Sequence, residues 1–151
     1  MEQSPLAIEL LSPNGQIWRV NAAWQRLWNV DQDATAELLS NYNMLNDAQI
    51  DEIGLAPVVR RAFDGESVVL PPVQYDGNLA AETIGLGNMG MPTPWIQCHL
   101  FPVKDANGNV TCVVNTYMDI TELKLAEHDA REQREALARI GRATMMGQLT
   151  G

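Results

Sequence analysis

The chain is poor in basic residues. Of its 151 residues only 10 are Lys or Arg against 19 acids, a formal net charge of -9. The deficit is local: residues 1–121 hold 14 acids and 5 bases, whereas residues 122–151 hold 5 of each. An acidic face repels phosphate backbones and anionic headgroups, which argues against nucleic acid and against direct membrane binding by this segment. Long hydrophobic runs are also missing. No stretch approaches the ~20 apolar residues a membrane span needs, and Met1 to Leu11 lacks the basic region of a secretion signal. A cytoplasmic segment is expected. Cysteine is limited to Cys98 and Cys112, and a reducing compartment disfavours a disulfide. If Asn107-Gly108 turns a two-residue hairpin, these two do not face each other, so they read as small buried hydrophobes. Histidine is limited to His99 and His128. Neighbouring strand residues point to opposite faces, so His99 and Cys98 cannot share a metal, and no metal site is expected.

What the chain does have is enough apolar residues, 46%, for one core. Leu6 to Leu11 is a short apolar run, Ser12-Pro13-Asn14-Gly15 a turn, and Gln16 to Val20 alternates, which together predict an opening hairpin. Asn21 is placed to cap a helix from Ala22, where Trp24, Leu27 and Trp28 form one apolar stripe. Two weaker helical pieces follow at Ala34–Leu45 and Asp47–Ile53. Pro57 opens a better helix that runs to Asp64, with Gly65 just past its end. Ser67 to Tyr75 regains strand character but is broken by Pro71 and Pro72, which demote part of it to an edge or bulge. Trp95–Val103 and Val110–Met118 are the clearest strands. Helices grouped between strands predict an α+β domain with an antiparallel sheet.

Two chemical motifs fail on context. Gly85-Leu86-Gly87-Asn88-Met89-Gly90 matches a dinucleotide fingerprint in form, but Pro92 and Pro94 follow where the phosphate-binding helix should start. It reads as a long loop between strands, a candidate lid beside a pocket. Asp105-Ala106-Asn107-Gly108-Asn109 begins like a calcium loop, yet Val110 and Thr116 stand where that loop needs glycine and glutamate. It reads as a hairpin turn.

Four segments in order, S-P-N-G-Q-I-W-R-V-N at 12–21, A-F-D-G-E at 62–66, F-P-V-K-D-A-N-G-N-V at 101–110 and M-D-I-T-E-L-K at 118–124, resemble a PAS domain, and the resemblance covers about residues 6–124. It implies a five-stranded antiparallel sheet with short helices over one face and a pocket for a cofactor or small ligand. Residues 6–121 would be the sensory domain. Asn21 matches the family's helix-capping asparagine, and Asp119 and Thr121 match its strand-to-helix junction. Trp28, Phe63 and His99 are the candidate pocket residues. The family's flavin-photosensor Asn-Cys-Arg-Phe motif is missing, and Pro57 to Phe63 offers no histidine for haem iron. The cofactor is left open.

Residues 122–151 read as a helical rod. Asp119 with Glu122 has capping-box spacing at its start, which makes Asp119, Thr121 and Glu122 the expected signal junction. Leu123, Ala126, Ala130, Gln133, Leu137, Ile140 and Thr144 trace a modest heptad seam, and Glu127 with Arg131 and Glu135 with Arg139 have i,i+4 spacing. Such an edge wants a partner. A parallel homodimer through Leu123, Ala126, Ala130, Leu137 and Ile140 supplies one, and folding back over the chain's own sheet is the alternative. Leu137 to Leu149 resembles the start of the dimerisation helix of sensor histidine kinases, which implies a two-component kinase as parent and a response regulator as its downstream partner. His128 with Asp129 and Arg131 looks like that family's phosphoacceptor motif but lacks its proline, and it reads as a solvated helix residue. A ligand-free dimerisation scaffold, or a PAS module driving a cyclic-dinucleotide cyclase or a transcription factor, are the competing readings.

Overall fold

Alternation in the two longest strands sets the architecture. In the computed structural model, which describes residues 6–150 and side chains up to residue 145, Trp95–Lys104 (β5) and Val110–Asp119 (β6) pair antiparallel along almost their whole length. Their inward rows, Ile96, Cys98 and Leu100 on one and Val113, Asn115 and Tyr117 on the other, are buried. Ala7–Leu11 (β1) lies beside β6, and Ile17–Val20 (β2) closes that side, so the order is β2-β1-β6-β5. The far edge is one row in two pieces, Val68–Val69 (β3) and Val73–Gln74 (β4), both paired with β5. Pro71 and Pro72, which have no N–H to donate, account for the interruption. The six strand segments thus form five rows.

Helices cover the inward face. Asn21 starts Ala22–Trp28 (α1), its Oδ1 accepting from Trp24 N at 3.0 Å and from Ile8 N at 3.0 Å, while its Nδ2 donates to Leu6 O at 2.8 Å. The residue therefore ties β1 to α1 as well as capping a helix. Gln32–Asn41 (α2) starts at Asp31, and a single 3-10 turn, Met44–Asn46, separates it from Ala48–Glu52 (α3). Ala56–Phe63 (α4) turns Val59 and Ala62 inward and leaves Arg60 and Arg61 exposed. A further helix, Gly77–Thr83 (α5), occupies part of the stretch read from sequence as loop. Its N-cap is Asp76, which accepts from Leu79 N at 2.9 Å. At Gly77 an added Cβ would stand 3.0 Å from the Trp28 ring and 3.0 Å from Met91 Cε, so glycine there permits a close approach to the indole.

The turn between β5 and β6 is larger than the two-residue hairpin expected. Asp105 Oδ1 accepts from Asn107 N at 2.9 Å and from Asn109 N at 3.0 Å, and the backbone closes from Asp105 N to Asn109 O. A register shift at Val103/Lys104 absorbs the extra residues. Before that shift the register is the one expected from sequence: Cys98 faces Tyr117 and Cys112 faces Val103, so the cysteines do not face each other. Both cysteines are free.

The chain divides into two compact units, up to Asp119 and from Ile120 onward. The second unit is the helix Thr121–Thr150 (α6), with Glu122 in its first turn. Leu123, Leu125, Leu137, Ile140 and Met145 are exposed along it. Glu127 pairs with Lys124 at 3.5 Å and His128 with Glu132 at 3.2 Å. The expected pairs Glu127 with Arg131 and Glu135 with Arg139 are not among the ion pairs of the described residues. Exposed side chains of this length choose among several partners of similar energy. Of the kinase-like stretch, the side chains of Met146 to Leu149 lie outside the described residues, as does the start of the segment read for a secretion signal, residues 1–5. No helix among the described residues is long and apolar enough to cross a membrane.

Candidate functional site

A glutamate stands at the middle of the inward row of β1. The strand reads Ala7-Ile8-Glu9-Leu10-Leu11, and period-2 alternation puts Glu9 on the core face between Ala7 and Leu11, 1% exposed. Three donors converge on it. Tyr117 Oη donates to Oε1 at 2.6 Å, Asn115 Nδ2 to Oε1 at 3.1 Å, and Trp24 Nε1 to Oε2 at 2.9 Å. The first two come from β6, whose Asn115 is the direct cross-strand partner of Glu9, and the third from α1. Burial disfavours the anion more than these bonds favour it, so the Glu9 carboxyl is held above its usual range, and the negative charge of Asp47 adds to the shift. Asn115 Oδ1 is buried without a hydrogen-bond partner.

A second buried carboxylate, Asp47, lies on the helical side. Asp47 caps α3, its Oδ1 accepting from Gln49 N at 2.8 Å and Ile50 N at 3.2 Å. Its Oδ2 accepts from the hydroxyls of both Tyr42 and Tyr75. One cap thus holds together the end of α2, the start of α3 and the residue after β4. Burial, and secondarily the surrounding negative charge, keeps the hydroxyls of Tyr42, Tyr75 and Tyr117 protonated far above the ordinary tyrosine range.

Beside Glu9, and reaching the two tyrosines that Asp47 holds, lies a cavity of about 60 Å³ walled by Glu9, Trp24, Trp28, Tyr42, Tyr75, Cys98 and Tyr117 and by aliphatic side chains from α2, α3 and β5. Trp28 meets Tyr75 edge-on at 5.5 Å and 70°, and Tyr117 at 6.0 Å and 90°. The lining continues to Ile53, which is 51% exposed, so the cavity reaches the surface there. Burial pushes the Cys98 thiol up, which leaves it a poor nucleophile.

Of the pocket residues expected from sequence, Trp28 lines the cavity. Phe63 does not; it is half-buried on α4 and packs against the core away from the cavity. His99 is on the opposite side of the sheet, because Cys98 next to it points inward. There it is exposed, 3.2 Å from Ser67 Oγ and 5.3 Å between ring centroids from Phe101. Asp119 ends β6, and Thr121 opens α6. Glu9, Asp47 and the three tyrosines escaped the sequence reading. The signal for Glu9 was available, since it interrupts an otherwise apolar strand at an inward position. Among the described residues no group of three His, Cys, Asp or Glu side chains could hold a metal. A cavity of this volume is also well below the roughly 300–1,000 Å³ of pockets that enclose larger ligands.

Comparison with solved structures assigns the architecture. A solved structure described as an RNA-binding light-oxygen-voltage receptor superposes with a TM-score of 0.60 at 21% identity over 91% of this chain. The chain has a PAS fold. It spans about a third of that receptor, 35% of its length. The PAS domain of an HTR-like protein from Haloarcula marismortui matches with a TM-score of 0.52 at 18% identity, covering 79% of this chain and 84% of its own. A domain of the sensory box sensor histidine kinase/response regulator from Geobacter sulfurreducens matches at 0.52 and 14% identity, covering 78% and 86%. No family model matches the sequence, and no curated protein does. The cavity thus lies where this PAS fold closes its helices over its sheet.

Proposed function

We propose that the chain is a sensory module in which a small molecule held between Glu9, Trp28 and Tyr75 sets the state of the output helix α6. The observation that carries this reading is the position of Tyr117. It lines the cavity and lies on β6, two residues before that strand ends at Asp119 and the chain enters α6 at Thr121. Whatever alters the hydroxyl's environment acts on the strand that leads to the output. Asp119, Thr121 and Glu122 form the relay.

The exposed apolar residues of α6 support a second copy as its partner, since a helix with such an edge gains most of its stability from packing. In this reading two chains associate in parallel through Leu123, Ala126, Ala130, Leu137 and Ile140. The resemblance of residues 137–149 to a kinase dimerisation helix, and the sensor histidine kinase among proteins of the same fold, support a histidine kinase as the output and a response regulator beyond it. The chain then supplies input rather than catalysis, from the cytoplasmic side. The small cavity favours a second reading, a ligand-free dimerisation scaffold. Sedimentation of the chain combined with a thermal-shift screen of small molecules separates them. A dimer whose melting temperature rises with a small molecule supports the sensor, a dimer that responds to none supports the scaffold, and a monomer at every concentration contradicts both.

A further inference from the structure

The polar groups around the cavity are arranged almost entirely as acceptors. Trp24 N–H and the Tyr117 hydroxyl are committed to Glu9, and the Tyr42 and Tyr75 hydroxyls to Asp47. A tyrosine that donates its hydrogen to a carboxylate presents oxygen lone pairs to everything else. Only the Trp28 indole N–H and the weak Cys98 S–H remain as donors in the wall. No Lys, Arg or His lines the cavity. Arg60 stands outside, in the surface groove that Asp47 also borders, and among the described residues makes no ion pair with it. The walls are built to match. Tyr75 and Tyr117 each meet Trp28 edge-on, at 70° and 90°, and all three line the cavity, so its wall is rich in the aromatic surface that attracts a positive charge.

We propose that this cavity takes a small organic cation of the ammonium type, its charge facing Glu9 and its methyl or methylene groups against Trp28, Tyr75 and Tyr117. The inference rests on the reading of the cavity as a sensory site and adds the class of what is sensed. Among the described residues Glu9 is the one carboxyl in the wall, and a cation beside it would stabilise the carboxylate that burial alone disfavours. A carboxylate or phosphate ligand would meet acceptors, and would have to break donor pairs already made. The volume, about 60 Å³, equals roughly two waters' share of the liquid. It therefore suits methylammonium, or the ammonium head of a longer amine whose tail leaves past Ile53.

The test is a titration of the 151-residue chain, followed by 1H–15N NMR at constant ionic strength, with methylammonium, tetramethylammonium, methanol, tert-butanol and acetate. Saturable shifts at Trp24, Trp28 and Tyr117 are expected with an ammonium probe, with its neutral counterpart and acetate at least tenfold weaker. Glu9→Gln is expected to lose at least tenfold in affinity. Should that variant not fold, Trp28→Phe, which keeps an aromatic but shrinks the π-surface, is expected to lose several-fold for the cation. Equal or tighter binding of the neutral or anionic probes would overturn the cation assignment and leave the sensory site standing. If no probe of any charge shifts these residues, both fall.

Discussion

The Tyr117 hydroxyl donates to Oε1 of Glu9 at 2.6 Å, joining two residues 108 positions apart on neighbouring strands. The bond links the first strand of the sheet to the last, and both partners are buried. Tyr117→Phe keeps the ring against Trp28 and removes one of three donors to a buried carboxyl. Loss of a hydrogen bond to such a group costs about 1–3 kcal/mol, to be read as a lower urea midpoint with an unchanged slope. Combining it with Glu9→Gln is expected to cost less than the sum, because the two changes remove the same contact.

The pH dependence follows from the raised carboxyl of Glu9. A group whose folded pKa lies above its unfolded value favours the folded state when protonated, and that contribution fades as pH rises through the folded pKa. Glu9 therefore supports folding most fully below the ordinary glutamate value of ~4.3, and progressively less above it. The groups facing it are Tyr117 from β6, Cys98 from β5, Tyr42 and Tyr75 from the helical side, and Asp47 from α3. The hydroxyls and the thiol stay neutral through this range. Urea unfolding between pH 5 and 8 is expected to show a Glu9-dependent fall in stability that disappears in Glu9→Gln. An identical slope in that variant would contradict the buried, proton-favouring environment.

Much of the scaffold was legible because local chemistry and tertiary structure agree there. Asn21 sits where an N-cap must be, Pro57 lies in the first turn of α4 and Gly65 just past its end, and Pro71-Pro72 breaks the edge row. The antiparallel α+β architecture and the long C-terminal helix follow from such local signals, whereas the five rows and the short helices over one face follow from the PAS resemblance. The cavity was less legible. In Trp95-Ile96-Gln97-Cys98-His99-Leu100-Phe101 both alternating rows carry apolar residues, so the period does not say which row turns inward, and His99 falls outside. α5 was hidden by its glycine at the first position, a residue of low helix propensity that the Trp28 contact requires. Asp47 and Tyr75, 28 positions apart, meet only in the folded chain.

The two cysteines should differ in reactivity. Cys98 is buried with its thiol pushed up, whereas Cys112 is half-buried on the outer row of β6. Alkylation with iodoacetamide near pH 8 is expected to modify Cys112 in the native chain and Cys98 only after denaturant is added. Equal rates at both would place Cys98 outside the core.

Gly77→Ala tests the close wall of the cavity. The new methyl would stand 3.0 Å from the Trp28 ring, and overpacking of this kind costs roughly 1–3 kcal/mol. A lower melting temperature and altered tryptophan fluorescence are expected, set against gains of a few tenths for Gly141→Ala, which meets nothing within 4 Å.

The central claim is that the state of the cavity reaches α6 through β6. Hydrogen exchange over residues 113–126, comparing the chain with Tyr117→Phe and with the cavity-binding probe, tests it most directly. The account predicts that both perturbations change exchange along β6 and continue into the first turn of α6, residues 121–124. Changes that stop at Tyr117 and leave residues 121–124 as in the unperturbed chain would contradict it.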